Sequence, residues 1–408
     1  MRFLRLFLPG LLCLASMSLL IGRSQEPEIE TTVTPEKSSY LPGEPVFVDV
    51  TLTNRTDRPL AEQRFNLLLT NWACSDLIFE SASPFVRNTH EGGCGWAGSC
   101  LSGAYGPDRT VEPGGSRTKT VLLNQWLSFN QIGRFLVHVY SQPSVKPPID
   151  TSFEVVVEPA QTGEFPDIYE RLAEELETRS RLQSSQGWDE QRLQQLRIAL
   201  SEMPQPFLEE AYLRWTTERD LLDVGVQGCA GLCTPRCENR LAQLITGPLV
   251  TEVKEPALMH ALRGLGACGD RSYLSLLRSV SGELDEFLQP VAIEAYGRLG
   301  GDAAILWLKQ LASSDDFRIR RLAIQGLFHT ETRAAVSVLI GMLTDPEPSI
   351  RESAGNALRL LTRRIVKDSA EKDFQTVAGE WATWWEEFGQ AAPVYDQRDC
   401  TGHFEEIP

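Results

Sequence analysis

Four cysteines crowd the middle of the chain. Cys229, Cys233 and Cys237 follow a C-x3-C-x3-C spacing, and Cys268 lies 31 residues beyond Cys237. Thiols this close in sequence either hold a metal or oxidise to bridges. Zinc knuckles favour cysteine pairs two or four residues apart, and no histidine lies beside this set, so two structural disulfides are expected, with all three pairings open. A second group holds Cys74, Cys94 and Cys100, and Cys400 stands alone near the end. With Cys13 set aside in an N-terminal leader, the remaining eight are all disulfide candidates. Because the second group is odd in number, full pairing requires a bridge between groups, for which Cys400 is the natural partner.

Other chemistry-bearing residues give little. The segment from Gly92 to Cys100 has the glycine and cysteine content of a thiol-protease nucleophile loop, but Leu101 follows where an aromatic is needed. A glycine-rich loop pinned by disulfides is expected instead, with Trp96 as a candidate partner contact. The histidines His90, His138, His260, His329 and His403 are scattered, with no H-E-x-x-H pair. There is no G-x-S-x-G elbow and no phosphate-binding glycine loop, and the carboxylates follow no pattern. No catalytic residue, metal or cofactor is therefore expected. Arg318, Arg320 and Arg321, with Arg351 one period after Arg320, could dock an acidic peptide; their expected role is pairing with Asp315, Asp316 and Asp345 in the loops. Trp381, Trp384, Trp385 and Phe388 share a helical face, which suits an end cap better than a ligand platform. Asn54-Arg55-Thr56 has the form of a glycosylation acceptor, although a tight turn explains it equally well.

Stepping from residues to elements, positions 27–160 read as β structure. Val46, Val48, Val50 and Leu52 alternate with Phe47, Asp49, Thr51 and Thr53, the period of a strand with one buried face. Further strands are expected at 65–69, 77–79, 118–123, 135–140 and 152–157, separated by turns such as Glu112-Pro113-Gly114-Gly115. This is the pattern of an antiparallel β-sandwich of immunoglobulin type. The phrase from Tyr40 to Asn54, with Gly133-Arg134-Phe135, resembles bacterial immunoglobulin-like export modules, and also touches a bacterial proteinase-inhibitor family of similar fold. Glu158 to Gly163 reads as a linker.

From 165 to about 390 the periodicity is helical, and part of it repeats every 31 residues. Ala261, Ala292, Ala323 and Ala354 share one register; three positions later stand Gly264, Ala295, Gly326 and Ala357, all small, then Leu265, Tyr296, Leu327 and Leu358. Ala257, Leu288, Ile319 and Ile350 precede the alanines by one turn. A second helix repeats as Leu274, Ile305 and Val336, then Leu277, Leu308 and Leu339. Such spacing puts small and bulky residues on one helical face, and one hairpin cannot bury that face alone. The phrase Asp345-Pro346-Glu347-Pro348-Ser349-Ile350-Arg351, followed by Ala354, Ala357 and Leu358, resembles the HEAT-like (armadillo-type) repeat family. The resemblance covers 257–361 and implies an α-solenoid; Ala230 marks a degenerate earlier unit broken by Pro235, and helices over 165–225 are expected to extend the stack irregularly. Residues 391–408 read as a tail.

The first 24 residues have the basic, apolar and small-residue regions of a signal peptide, with cleavage expected after Ser24 and a retained anchor as the alternative. Composition is that of a folded chain, at 42% hydrophobic and 23% charged residues. A formal charge of −16 disfavours nucleic acid and anionic membranes as partners. Taken together, these features predict an exported, periplasmic, cell-surface or secreted protein, non-enzymatic, that presents a helical-repeat surface to a protein partner. The alternatives are an enzyme with an unrecognised site at the domain interface and a proteinase inhibitor acting through the sandwich loops.

Overall fold

The computed structural model describes residues 28–61, 76–88, 110–142, 148–161, 163–181, 189–247, 255–268, 270–367, 372–389, 391–395 and 405–407. The leader, Trp96, Cys74, Cys94, Cys100, Cys400 and the strand expected at 65–69 lie outside them.

The N-terminal part consists of antiparallel sheets. One has the order β1–β2–β7, from β1 (Ile29–Pro35), β2 (Phe47–Asn54) and β7 (Ser116–Leu122). A second has the order β10–β9–β4, from β4 (Leu77–Glu80), β9 (Gly133–Ser141) and β10 (Asp150–Val157). Short pairs join β3 (Leu60–Ala61) to β6 (Thr110–Val111) and β5 (Arg87–Asn88) to β8 (Leu127–Ser128). The alternation in β2 does what its period implies: Val48, Val50 and Leu52 are buried with Val33, Val121, Phe79, Val137, Val139 and Val155 in a single apolar cluster. Asn54, at the end of β2, is fully buried. Its amide donates to the carbonyls of Arg58 and Val111, and its Oδ1 accepts from Thr56 N and Oγ1, so it is a turn-former closed to a glycan.

The rest is mostly helical: α1 (Glu164–Arg181), α2 (Asp189–Glu202), α3 (Glu209–Trp215), α4 (Leu222–Leu232), α5 (Pro235–Thr246), α6 (Glu255–Cys268), α7 (Leu274–Ser281), α8 (Leu288–Gly300), α9 (Ile305–Ala312), α10 (Phe317–Thr330), α11 (Arg333–Met342), α12 (Pro348–Thr362) and α13 (Phe374–Trp384). Starts and stops follow local chemistry. Thr234, Asp316, Thr332 and Asp373 cap the first turns of α5, α10, α11 and α13. Cys233, Gly301, Glu331 and Arg363, just after α4, α8, α10 and α12, turn the chain with φ of 52°, 50°, 51° and 55°.

α4, α6, α8, α10 and α12 pack side by side in succession, with α5, α7, α9 and α11 against them. Ala261, Ala292, Ala323 and Ala354 are all fully buried, as are Leu277, Leu308 and Leu339. α8 and α10 approach each other closely: a Cβ added at Gly297 would come within 2.1 Å of the Gly326 carbonyl oxygen. Trp381, Trp384 and Trp385 are buried in the same core, with Trp385 Nε1 donating to Ser337 Oγ at 2.9 Å, whereas Phe388 is exposed. Part of the C-terminal segment docks on this region. β12 (Glu405–Glu406) pairs in parallel with β11 (Arg364–Ile365), and Tyr395 N donates to the Leu361 carbonyl. No helix among the described residues is long and apolar enough to cross a membrane.

The two parts meet along β2 and β7. Gln195 on α2 accepts a buried hydrogen bond from Leu122 N at 2.7 Å, and Phe47 and Leu122 join the helical core rather than the β cluster. Arg192 lies over the Phe47 ring and bonds both Glu36, before β2, and Glu175 on α1.

Candidate functional site

Four side chains two or six positions after the buried alanines, Arg263, Glu294, Arg298 and His329, form a polar row across α6, α8 and α10. Helix geometry explains the row: i+2 and i+6 are close to one turn apart and lie on a different face from the alanine. Arg263, two past Ala261, is exposed; Glu294, two past Ala292, is buried. Arg298 and His329 both stand six past their alanine, on adjacent helices.

Arg298 joins the row together. Its Nη2 donates to Glu294 Oε1 at 3.3 Å and to His329 Nδ1 at 3.2 Å. Nδ1 is thus an acceptor and carries no proton, which leaves the hydrogen on Nε2, 3.7 Å from Glu294 Oε1. Burial drives the His329 pKa down to about 3, reinforced by the charges of Arg298 and Arg263. The proximity of Glu294 favours an imidazolium, but burial and two guanidinium groups outweigh it. A base this weak takes up no proton near neutral pH. His260, one residue before Ala261, also has its pKa lowered, by burial and then by Arg263, with Asp223 on α4 opposing. Sequence reading missed this row. The 31-residue register was the available signal, since it puts Arg298 and His329 in one column, but the unlike residue types there concealed it.

The arginine cluster is divided. Arg320 makes a two-pronged bond to Asp345, at 2.7 and 2.9 Å, and donates to the carbonyls of Ser314 and Asp315. Arg351 repeats the second contact one period later, donating to the carbonyls of Asp345 and Pro346 while its guanidinium lies over Phe374. Burial raises the Asp345 pKa, yet Arg320 and the Glu347 amide prevail and hold its carboxyl below the usual range. Asp316 caps α10 through Arg318 N. Arg318 and Arg321 are exposed.

Of the first cysteine set, Cys233 and Cys268 are bridged, with Cα atoms 5.0 Å apart. Cys237 and Cys268, in register, are not the pair. The αL turn at Cys233 brings the end of α4 to the end of α6 instead. Cys229 and Cys237 are buried thiols. Among the described residues no group of three His, Cys, Asp or Glu side chains could hold a metal ion. A comparison with protein-family models gives no match to this chain, and a comparison with curated proteins gives none either.

Proposed function

We propose that the chain is an exported, non-enzymatic binding or scaffold protein, with an immunoglobulin-like β-sandwich followed by a HEAT-like α-solenoid, and that it docks a protein partner of the cell envelope along the row Arg263–Glu294–Arg298. The observation that carries this reading is the row itself. Successive helices packed in one register turn single residues 31 apart into neighbours, and so bring polar side chains of separate helices together from positions that have no local relation. Arg263, exposed at one end, supplies an accessible charge for recognition, while Arg298 is held in place by Glu294 and His329. The test is capture from envelope extract on the immobilised chain lacking residues 1–24, read by mass spectrometry. A partner retained by the parent chain and lost at least tenfold by an Arg263→Ala/Arg298→Ala double variant supports the reading. Retention that the variant leaves unchanged, or no specific partner at all, overturns it.

A further inference from the structure

Cys229 and Cys237 face each other across a tight helical corner. Cys229 lies one turn before the end of α4, and Cys237 lies in the first turn of α5, behind Pro235 and the capping residue Thr234. Both are fully buried, and the Cys229 thiol hydrogen-bonds the Cys237 sulfur. Directly between them in sequence, Cys233 is bridged to Cys268 on α6. The corner is held independently of its sulfurs: Thr234 Oγ1 accepts from Cys237 N at 3.2 Å, Thr234 bonds Glu209 on α3, and Arg236 pairs with Glu209 and Glu210. The two thiols are therefore kept in contact by the fold, with the other two sulfurs already committed and, among the described residues, no group of three metal-ligating side chains.

We infer that Cys229 and Cys237 close a second disulfide, nested around Cys233, so that the α4–α5 corner is cross-linked on itself and to α6. The step is thiol–disulfide exchange with a small-molecule disulfide. One of the two thiolates attacks one sulfur of the oxidant and releases its first thiol; the other then attacks the mixed disulfide and releases the second. The two protein thiols are oxidised, their two protons pass to the two released thiols, and the oxidant disulfide is reduced. As both sulfurs are buried, exchange takes place while the corner is open, during folding.

The chain is refolded in a buffer of oxidised and reduced glutathione, alkylated under denaturing conditions without reduction, and cut with trypsin. Cleavage after Arg219, Arg236, Arg240, Arg263 and Arg271 separates 220–236, 237–240 and 264–271. The expected product is all three peptides joined through sulfur. A further cut after Leu232 should leave 237–240 on the Cys229 half and 264–271 on the Cys233 half. Recovery of 237–240 alone with Cys237 alkylated, or either alternative pairing, overturns the inference. In Cys229→Ser, 237–240 should be released with an alkylated thiol, while the link between 220–236 and 264–271 persists. The oxidant is supplied in the assay, so the result does not depend on export or on any partner.

Discussion

His329 shows how the setting of a side chain can reverse its usual behaviour. Free histidine takes up a proton around pH 6.5, but here burial and two arginines keep the imidazole neutral down to about pH 3. Because the folded pKa lies below the unfolded one, the unfolded chain binds the extra proton between those values. Stability is complete above pH 6.5 and is lost as pH falls toward 3. Urea titrations at pH 7 and pH 4 should show a contribution of up to about 3 kcal/mol from this residue, which His329→Gln removes. An unchanged difference in the variant would place the acid sensitivity elsewhere. Arg320 makes a contrasting case, since its guanidinium is fixed by Asp345 and two carbonyls, and both side chains are mostly buried (12% and 8% exposed). Arg320→Ala should lower the urea unfolding midpoint, Arg320→Lys should recover only part of the loss, and the exposed Arg321→Ala should leave the midpoint close to that of the parent. The Arg320 pairing was legible in sequence because acids mark the loops before α10 and before α12, Asp315 and Asp316 in the first and Asp345 in the second. The His329 setting was not, because it depends on a residue of the neighbouring helix.

At the level of elements, the columns of small residues were the most legible feature, and the packing gives their reason. Gly297 faces the Gly326 backbone so closely that a methyl group must force α8 and α10 apart, and Gly326 itself would meet Leu308 and Ile293. Gly297→Ala should therefore destabilise by about 1–3 kcal/mol in thermal or urea unfolding. Gly379, exposed in the middle of α13 with nothing near its missing Cβ, is the matched control; Gly379→Ala should stabilise by up to about 1 kcal/mol through helix propensity alone. If both changes shifted stability in the same direction, close approach of α8 to α10 would not be what requires glycine at 297. Strand β1 escaped the sequence reading for a physical reason: in Ile29-Glu30-Thr31-Thr32-Val33 only two residues are apolar, and the strand takes its place by pairing with β2. The left-handed residues Glu331 and Arg363 are also unreadable locally, as neither type signals a positive φ.

For the molecule as a whole, the segment from Glu158 to Gly163 reads as a linker, yet the helices beyond it fold back on the sheet that precedes it. The buried bond from Leu122 N to Gln195 Oε1 crosses 73 positions of sequence, beyond what any local pattern conveys. Gln195→Leu leaves that amide unsatisfied and should cost about 1–3 kcal/mol. In hydrogen exchange it should lower protection in β7 together with α2, and loss confined to α2 would show that the two parts are stabilised separately. The close approach at Gly297 has a consequence at this scale too. The gap it leaves between α8 and α10 is narrower than a methyl group, so this one pinch point sets a spacing that every later helix inherits. Widening it would carry α10 and α12 away from α8 together, and the change would travel along the succession of helices without altering the chemistry of any other residue.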